Sequence, residues 1–304
     1  MSDRLRVILV TARPGPDVDE DVDMPILAEA VAATGSEVSV SAWDDPAAGW
    51  DEADLAIVRS PWDYPVRLAE FRTWIDRCAK AGTRLANPAE VLSWNLDKRY
   101  LKDLADAGVP AVPTTYLEPG ADVELPSDGE FVIKPSVGAG SRLAGRYAAD
   151  DRDRATAHVA AIHAEGLAAM VQPYRHAVDT GGERALVFVG GRFLHAMRKR
   201  GVLAPGADPD GPPQEAHPGL VPWQPSDAEL ALARQALAAV PVDHDLLYGR
   251  VDLIVEPDRG PTIMELELIE PNLFLRSNPG SATVLADAIT AWAARNRHHE
   301  RSRS

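Results

Sequence analysis

Three carboxylates near the C-terminus are the residues whose spacing first suggests chemistry. Asp252 falls in one strand-like run, Gly249 to Glu256, and Glu265 and Glu267 fall in the next, Pro261 to Leu268. Side chains alternate along a strand, so Glu265 and Glu267 share one face while Leu266 and Leu268 take the other. A hairpin across Pro257-Asp258-Arg259-Gly260 brings Asp252 beside them. Carboxylates this close repel unless something neutralises them. A hard divalent cation does so, and Mg²⁺ prefers oxygen ligands. The apolar neighbours of all three favour a metal site over a solvated strand face.

Cations stand upstream. Lys134 lies inside an apolar run, Phe131 to Pro135, and a buried lysine needs an anionic partner. A nucleotide phosphate or a structural carboxylate would serve. The segment Ser136 to Ser141 (SVGAGS) follows at once. The backbone N–H groups around Ser136, Gly138, Gly140 and Ser141 suit a phosphate cradle. The segment lacks the GxxxxGK[ST] spacing of a P-loop. A plain turn is the alternative, and its position directly after FVIKP favours the cradle. Lys98 sits in a run that reads as a helix from Leu96 to Ala107 and in isolation is a solvated charge. Arg198 and Lys199 end a strand (FLHAMRK), where a surface salt bridge is the ordinary role. Gln172-Pro173-Tyr174 ends the strand AMVQPY. Proline stops the ladder there and leaves backbone groups free to meet an adenine edge. Spacing alone does not separate that reading from a linker.

The elements that position these groups fall into two patterns. Over residues 1–90 the order is strand (Arg6 to Thr11), helix (Asp21 to Thr34), strand (Glu37 to Trp43), strand (Asp54 to Arg59) and amphipathic helix (Pro65 to Ala81). That rhythm predicts an open α/β sheet. No GxGxxG follows the first strand, so its turn is not a dinucleotide site. Ligands bind beyond the carboxyl ends of such strands. Arg13, Arg59, Trp62 and Asp63 lie there and, with Arg276, are the candidate substrate contacts. Packing between domains accounts for Trp62 equally well. Beyond residue 90 the pattern is α+β: a helix over Asp151 to Glu165, a hairpin of Arg184 to Val189 with Arg192 to Lys199, a helix over Ser226 to Val240, and a last helix from Ser281 to about Arg295 with a frayed tail. Residues 201–225, with seven prolines and four glycines, read as a long loop. His195, mid-strand, reads as a satisfied core histidine. Three units are expected: 1–90, 91–174 and 175–300.

Composition narrows the partners. The 304 residues carry a formal net charge of -15, which disfavours nucleic acid. The one cysteine, Cys78, has no partner for an internal disulfide and fits the apolar face of a helix. No run approaches the length of a membrane helix and no signal-peptide core opens the chain, so a soluble cytoplasmic protein is expected.

Taken in order, Lys98, FVIKP with SVGAGS, VQPY, a basic strand end and Asp…Glu-x-Glu resemble the ATP-grasp superfamily, from about Asn87 to the last helix. The resemblance implies ATP between two α+β subdomains, preceded by the α/β region as a pre-ATP-grasp domain. It implies that Lys98 and Lys134 contact phosphates, that the 136–141 loop closes over them, and that Gln172, Pro173 and Tyr174 flank adenine. Arg198 or Lys199 would neutralise the transferred phosphoryl group, and Asp252, Glu265 and Glu267 would hold two Mg²⁺. The superfamily's usual Glu-x-Asn is here Glu265-Leu266-Glu267; a literal match comes later, at Glu270-Pro271-Asn272, which keeps Asn272 as a further ligand candidate. The segments RSPWDY, LDKRYL, HAMRKR and MELELIEPNLFL are similar to an actinobacterial group that includes a cycloserine-forming cyclo-ligase. Glutathione synthetase and ribosomal-protein glutamate ligases are more distant. The resemblance implies an ATP-dependent ligase that makes an acyl phosphate and joins it to nitrogen, on a small amino-acid-like substrate. A peptide ligase, a phosphotransferase and a nucleotide-binding module are the alternatives. Dimers are common in this fold, so a homodimer is an open expectation.

Overall fold

The β-branched run at the start of the chain becomes β1 (Arg6–Thr11), whose residues from Val7 to Val10 are all buried. It pairs in parallel with β2 (Glu37–Ala42) and β3 (Leu55–Ser60), and β4 (Leu85–Ala86) completes a sheet of order β2-β1-β3-β4. The computed structural model describes residues 4–15, 18, 20–207, 209, 219–242 and 245–301, with side chains as far as Arg295. Helices α1 (Met24–Ala33) and α2 (Leu68–Ala81) cover this sheet. A short 3-10 turn, Tyr64–Val66, precedes α2, and Gly82 closes it with a positive φ of 75°. Cys78 is buried on α2, where burial lifts its thiol to about 11.

The expected helix over 96–107 is instead two pieces, α3 (Ala89–Asn95) and α4 (Tyr100–Asp106). Asp97 explains the break. Its side chain accepts from the Arg99 N–H at 3.0 Å, a local bond that competes with helix. Lys98 therefore lies in a turn, not on a helix, and its N–H donates to Ser136 O at 2.7 Å.

Next comes an antiparallel sheet of order β5-β8-β6-β7, from β5 (Thr115–Leu117), β6 (Glu130–Pro135), β7 (Gly145–Ala148) and β8 (Ala169–Pro173). Helix α5 (Arg152–Ala164) buries Ala155, Val159 and Ile162 in the same cluster as Phe131 and Ile133 of β6. Strands β5 and β7 hold three and four residues, too few for alternation to register. A short α6 (Ala177–Gly181) leads into the third sheet.

That sheet has the order β11-β10-β9-β12-β13, built from β9 (Glu183–Val189), β10 (Arg192–Lys199), β11 (Val221–Trp223), β12 (Tyr248–Glu256) and β13 (Gly260–Glu267). Strand β11 corrects the expected 201–225 loop: Val221–Trp223 pairs with Ala196 to Arg198 as an edge strand. Pro222 is tolerated there because an edge needs fewer ladder donors. Residues 208 and 210–218 of that segment lie outside the described residues. Helix α7 (Asp227–Ala238) packs Leu232, Ala233 and Ala236 on the face carrying Leu186, Phe188, Val251 and Leu253. Ser226 and Glu229 cap it reciprocally. Helix α8 (Ser281–Arg301) runs past the expected end at Arg295, through a stretch without Gly or Pro.

The first and third sheets are tied by neutral bonds. Asn87, fully buried, donates to Tyr248 O at 2.9 Å and Leu268 O at 2.8 Å and accepts from Leu247 N. The Tyr248 hydroxyl lies 2.5 Å from Val58 O and 2.8 Å from Ile269 O. Among the described residues, no helix is long and apolar enough to cross a membrane.

Candidate active site

The hairpin register sets Asp252 opposite Glu265 and Arg250 opposite Glu267, as alternation demanded for the acids. Arg250 was not among the expected site residues, although it precedes Asp252 by one strand period. Its Nε and Nη2 grip Asp252 at 2.8 and 2.9 Å, a bidentate pair, and Nη2 also donates to Glu267. Lys199 Nζ sits between Asp252, at 2.9 Å, and Glu183, at 2.6 Å. Glu183 also went unread; the β9–β10 register opposes it to Lys199. From β6, Lys134 Nζ reaches Glu265 Oε1 at 2.5 Å, and Lys98 Nζ lies 3.6 Å from the other oxygen.

These charges bias one another. Burial opposes ionisation of Glu265, but Lys134 and Lys98 outweigh it and hold the carboxyl at about 2. Burial likewise opposes Asp252, and Arg250 and Lys199 overcome it, so its carboxyl lies far below the usual range. Glu183 and Glu267 take the other course. Burial, with Asp252 adding repulsion to each, lifts both to about 7 against the pull of Lys199 and Arg250. Lys199 and Arg250 serve three carboxylates, Glu183, Asp252 and Glu267, so proton and negative charge settle on different members.

Arg198 and Lys199 divide by strand alternation. Lys199 is buried in the site, whereas Arg198 is exposed on the other face, its guanidinium 5.7 Å from the Trp223 ring centre. Gly182 admits Lys199 closely: with φ at +74°, a Cβ there would lie 2.5 Å from Lys199 O.

The 136–141 loop folds over Lys98. Gly138 O accepts from Lys98 Nζ at 2.9 Å, and Gly140 and Ser141 both take left-handed φ, 64° and 60°. Ser136 is buried; its Oγ donates to Asp97 at 3.3 Å. Gln172 is buried with Nε2 on Thr114 Oγ1. The strand end at Pro173 is less open than expected, because the Tyr174 N–H donates to Glu130 O at 2.8 Å. The Tyr174 ring lies under the Arg146 guanidinium at 3.5 Å.

The lip residues differ among themselves. Arg59 is 1% exposed and donates to Pro271 O at 2.8 Å, and Trp62 Nε1 donates to Glu270 O at 3.2 Å. Asp63 is committed to Trp43 Nε1 at 2.7 Å and to Arg67 at 3.0 Å. Arg13 is exposed, with Nε on Asp44 at 2.9 Å. Arg276 is exposed, and its backbone N–H donates to Asp23 Oδ1 at 2.9 Å. Asn272 Oδ1 accepts from Phe274 N–H at 2.9 Å in a local turn. His195 is satisfied, with Nδ1 at Ser281 Oγ and Nε2 at Leu273 O, each 2.9 Å away.

Among the described residues, no three acidic, His or Cys side chains converge for an ion. Asp252, Glu265 and Glu267 instead hold the site's cations. Their oxygens still form an all-hard donor set on one face of two adjacent strands, which is the chemistry Mg²⁺ takes.

Comparison with known proteins accords with this geometry. Residues 7–87 match the family described as D-cycloserine synthetase DcsG, N-terminal domain. The chain is 38% identical over 286 residues to the cycloserine biosynthesis protein DcsG of Streptomyces lavendulae, covering 88% of this chain and 93% of that protein. The crystal structure of D-cycloserine synthetase DcsG superposes with a TM-score of 0.86 at 35% identity, over 95% of this chain and 99% of that one. A RimK domain ATP-grasp protein of Sphaerobacter thermophilus DSM 20745 shares the fold at a TM-score of 0.63 and 18% identity, over 93% and 98% of the two chains. With Lys199, Arg250 and the carboxylates on the third sheet and Lys98 and Lys134 reaching Glu265 from outside it, the chain belongs to the DcsG family of ATP-grasp ligases.

Proposed function

We propose that this ligase phosphorylates the carboxylate of a small amino-acid-derived substrate and lets a nitrogen of the same molecule displace the phosphate, closing a ring as in O-ureidoserine cyclisation. The observation that carries the reading is the likeness to DcsG over nearly the whole chain. The charged face of β9, β10, β12 and β13 supplies what the reaction needs.

Lys98 and Lys134 are positioned to leave Glu265 for the triphosphate, since one lysine already touches the 136–141 loop and the other extends from β6. That exchange would free Glu265, and with Asp252 and Glu267 it offers the oxygens for Mg²⁺. When bound, Mg²⁺ supplies charge neutralisation on the transferring phosphoryl group. Lys199 and Arg250 are held rigidly by Asp252 and so are preorganised to stabilise charge that develops in the transition state. Asn272 is a further ligand candidate. Gln172, Pro173 and Tyr174 suit the adenine end, and Arg59 and Trp62 fix the substrate side. The division proposed is into three units, 1–90, 91–174 and 175–300.

The test is substrate-dependent ADP release with Mg²⁺, screened over O-ureidoserine, amino acids and dipeptides. Release with O-ureidoserine and formation of a cyclic product support the reading. Release only with an added amine acceptor shifts it to a peptide ligase, and ADP with a phosphorylated end product shifts it to a phosphotransferase.

A further inference from the structure

Five carboxylates and four cations form one electrostatic group: Glu183, Asp252, Glu265, Glu267 and Glu270, against Lys98, Lys134, Lys199 and Arg250. Four of the carboxylates stand in direct ion pairs, Glu183 with Lys199, Asp252 with Arg250 and Lys199, Glu265 with Lys134, and Glu267 with Arg250. Glu270 is the exception. Among the described residues it has no ion pair; its Oε1 accepts from the Tyr64 hydroxyl at 2.8 Å.

A hydroxyl orients a carboxylate without cancelling its charge. Here the orientation is firm. Tyr64 is 3% exposed and stacks on Phe71 at 5.1 Å between ring centres. The Glu270 carbonyl is held by the Trp62 indole, and the next carbonyl, of Pro271, by buried Arg59. Burial lifts the Glu270 carboxyl above its ordinary range, while Tyr64, Lys98 and Arg250 pull the other way. A triphosphate carrying two divalent ions brings little net charge, so it leaves the surplus negative charge at Glu270 unanswered. What answers it is a cation on the other substrate.

We propose that Glu270, oriented by Tyr64, receives the α-ammonium group of the substrate and thereby selects α-amino acids over acids that lack the amine. The inference rests on the ligase reading above and names the feature of the substrate that the site recognises. Ammonium and carboxylate hang from one carbon, so an ammonium on Glu270 leaves the carboxylate free to turn toward Arg250 and Lys98. Tyr64 is a positioning residue in this scheme.

The experiment pairs O-ureidoserine with its desamino counterpart, ureidooxypropanoate, on the full chain. Binding is read by calorimetry with Mg²⁺ and a non-hydrolysable ATP analogue, and turnover as ADP release. Glu270→Gln weakens O-ureidoserine binding by at least about 30-fold, the expected loss for one partner of a buried charged pair. The penalty on the desamino acid is far smaller, Glu270→Asp recovers part of the loss, and Tyr64→Phe raises KM with kcat held. Thermal unfolding of each variant guards against a merely unfolded protein. An equal penalty on both acids, or an altered Mg²⁺ requirement, overturns the proposal and makes Glu270 a structural or metal-binding group. If the wild type releases no ADP with O-ureidoserine, the ligase reading fails for that substrate. The ammonium seat is then judged by binding of α-amino acids against their desamino acids, and equal binding, or none, overturns it.

Discussion

Two charged clusters of similar composition differ in how far water reaches them. On the floor, Lys199, Arg250, Asp252, Glu183 and Glu267 interlock on the third sheet; on the lip, Arg13, Asp44, Asp63, Arg67 and Glu70 interlock around the start of α2. Contact distances are alike, 2.8 Å for Arg250–Asp252 and 2.9 Å for Arg13–Asp44. Exposure is not. Arg250 and Asp252 are 4% and 2% exposed, whereas Arg13 and Asp44 are 55% and 20% exposed. Water screens the lip and makes its pairs nearly neutral in energy. The floor has no such relief, so each charge there depends on its neighbour.

The sharpest way to break that contrast is Arg250→Ala. It strands Asp252 and Glu267 without their cation, and the expected cost is about 3–5 kcal/mol of stability, with ligase activity lost. Chemical denaturation beside an activity assay reads both; a loss no larger than a lip substitution would put the floor in the lip's class. Glu265→Gln comes next. The fold persists and ADP release falls at least about 100-fold, as for loss of a group that stabilises transition-state charge. Unchanged release would move the metal site toward Asn272.

A third test uses pH on the ligand-free protein. Glu183 and Glu267 are raised to about 7 in the fold, so the folded state binds protons that the unfolded state has released. Their contribution to stability therefore falls as pH rises from about 4.5 to about 7. Glu265, lowered to about 2, acts oppositely, and its contribution is lost only as pH drops from about 4.5 through about 2. Glu183→Gln should flatten the fall between pH 5 and about 7 in a melting-temperature series, and an unaltered slope would reassign it. The smallest effect belongs to Arg13→Ala, expected within about 0.5 kcal/mol and without change in KM. A KM shift there would place Arg13 in the substrate's path and bring part of the lip into the site.

What the sequence revealed follows the range of the interactions involved. The pairing of Asp252 with Glu265 was legible because a short hairpin and a period of two leave one register for the buried leucines. Arg250 obeyed the same period and was simply not read. Lys98 was misplaced onto a helix because Asp97 makes a local bond that propensity does not weigh. Spacing flagged Glu270 only through the Glu-x-Asn match with Asn272; its contact with Tyr64, 206 residues away in the chain, was not legible. The ion pair that occupies Glu265 was equally hidden, since it joins β6 to β13 across separate sheets.

Asn87 and the Tyr248 hydroxyl have a consequence for motion. The bonds they make are neutral, buried and indifferent to salt or nucleotide, so the first and third sheets travel as one jaw. The segment leading into the second sheet bridges to that jaw at Ala111 and Ile263, and the sheet itself meets it through a shared apolar cluster, Phe131 and Ile133 with Ile8 and Val58, and through ionic contacts such as Lys134–Glu265 that the triphosphate itself would replace. Breathing of the cleft is then assigned to the small antiparallel sheet, and amide exchange should quicken there first, at a pace set by nucleotide rather than by temperature alone.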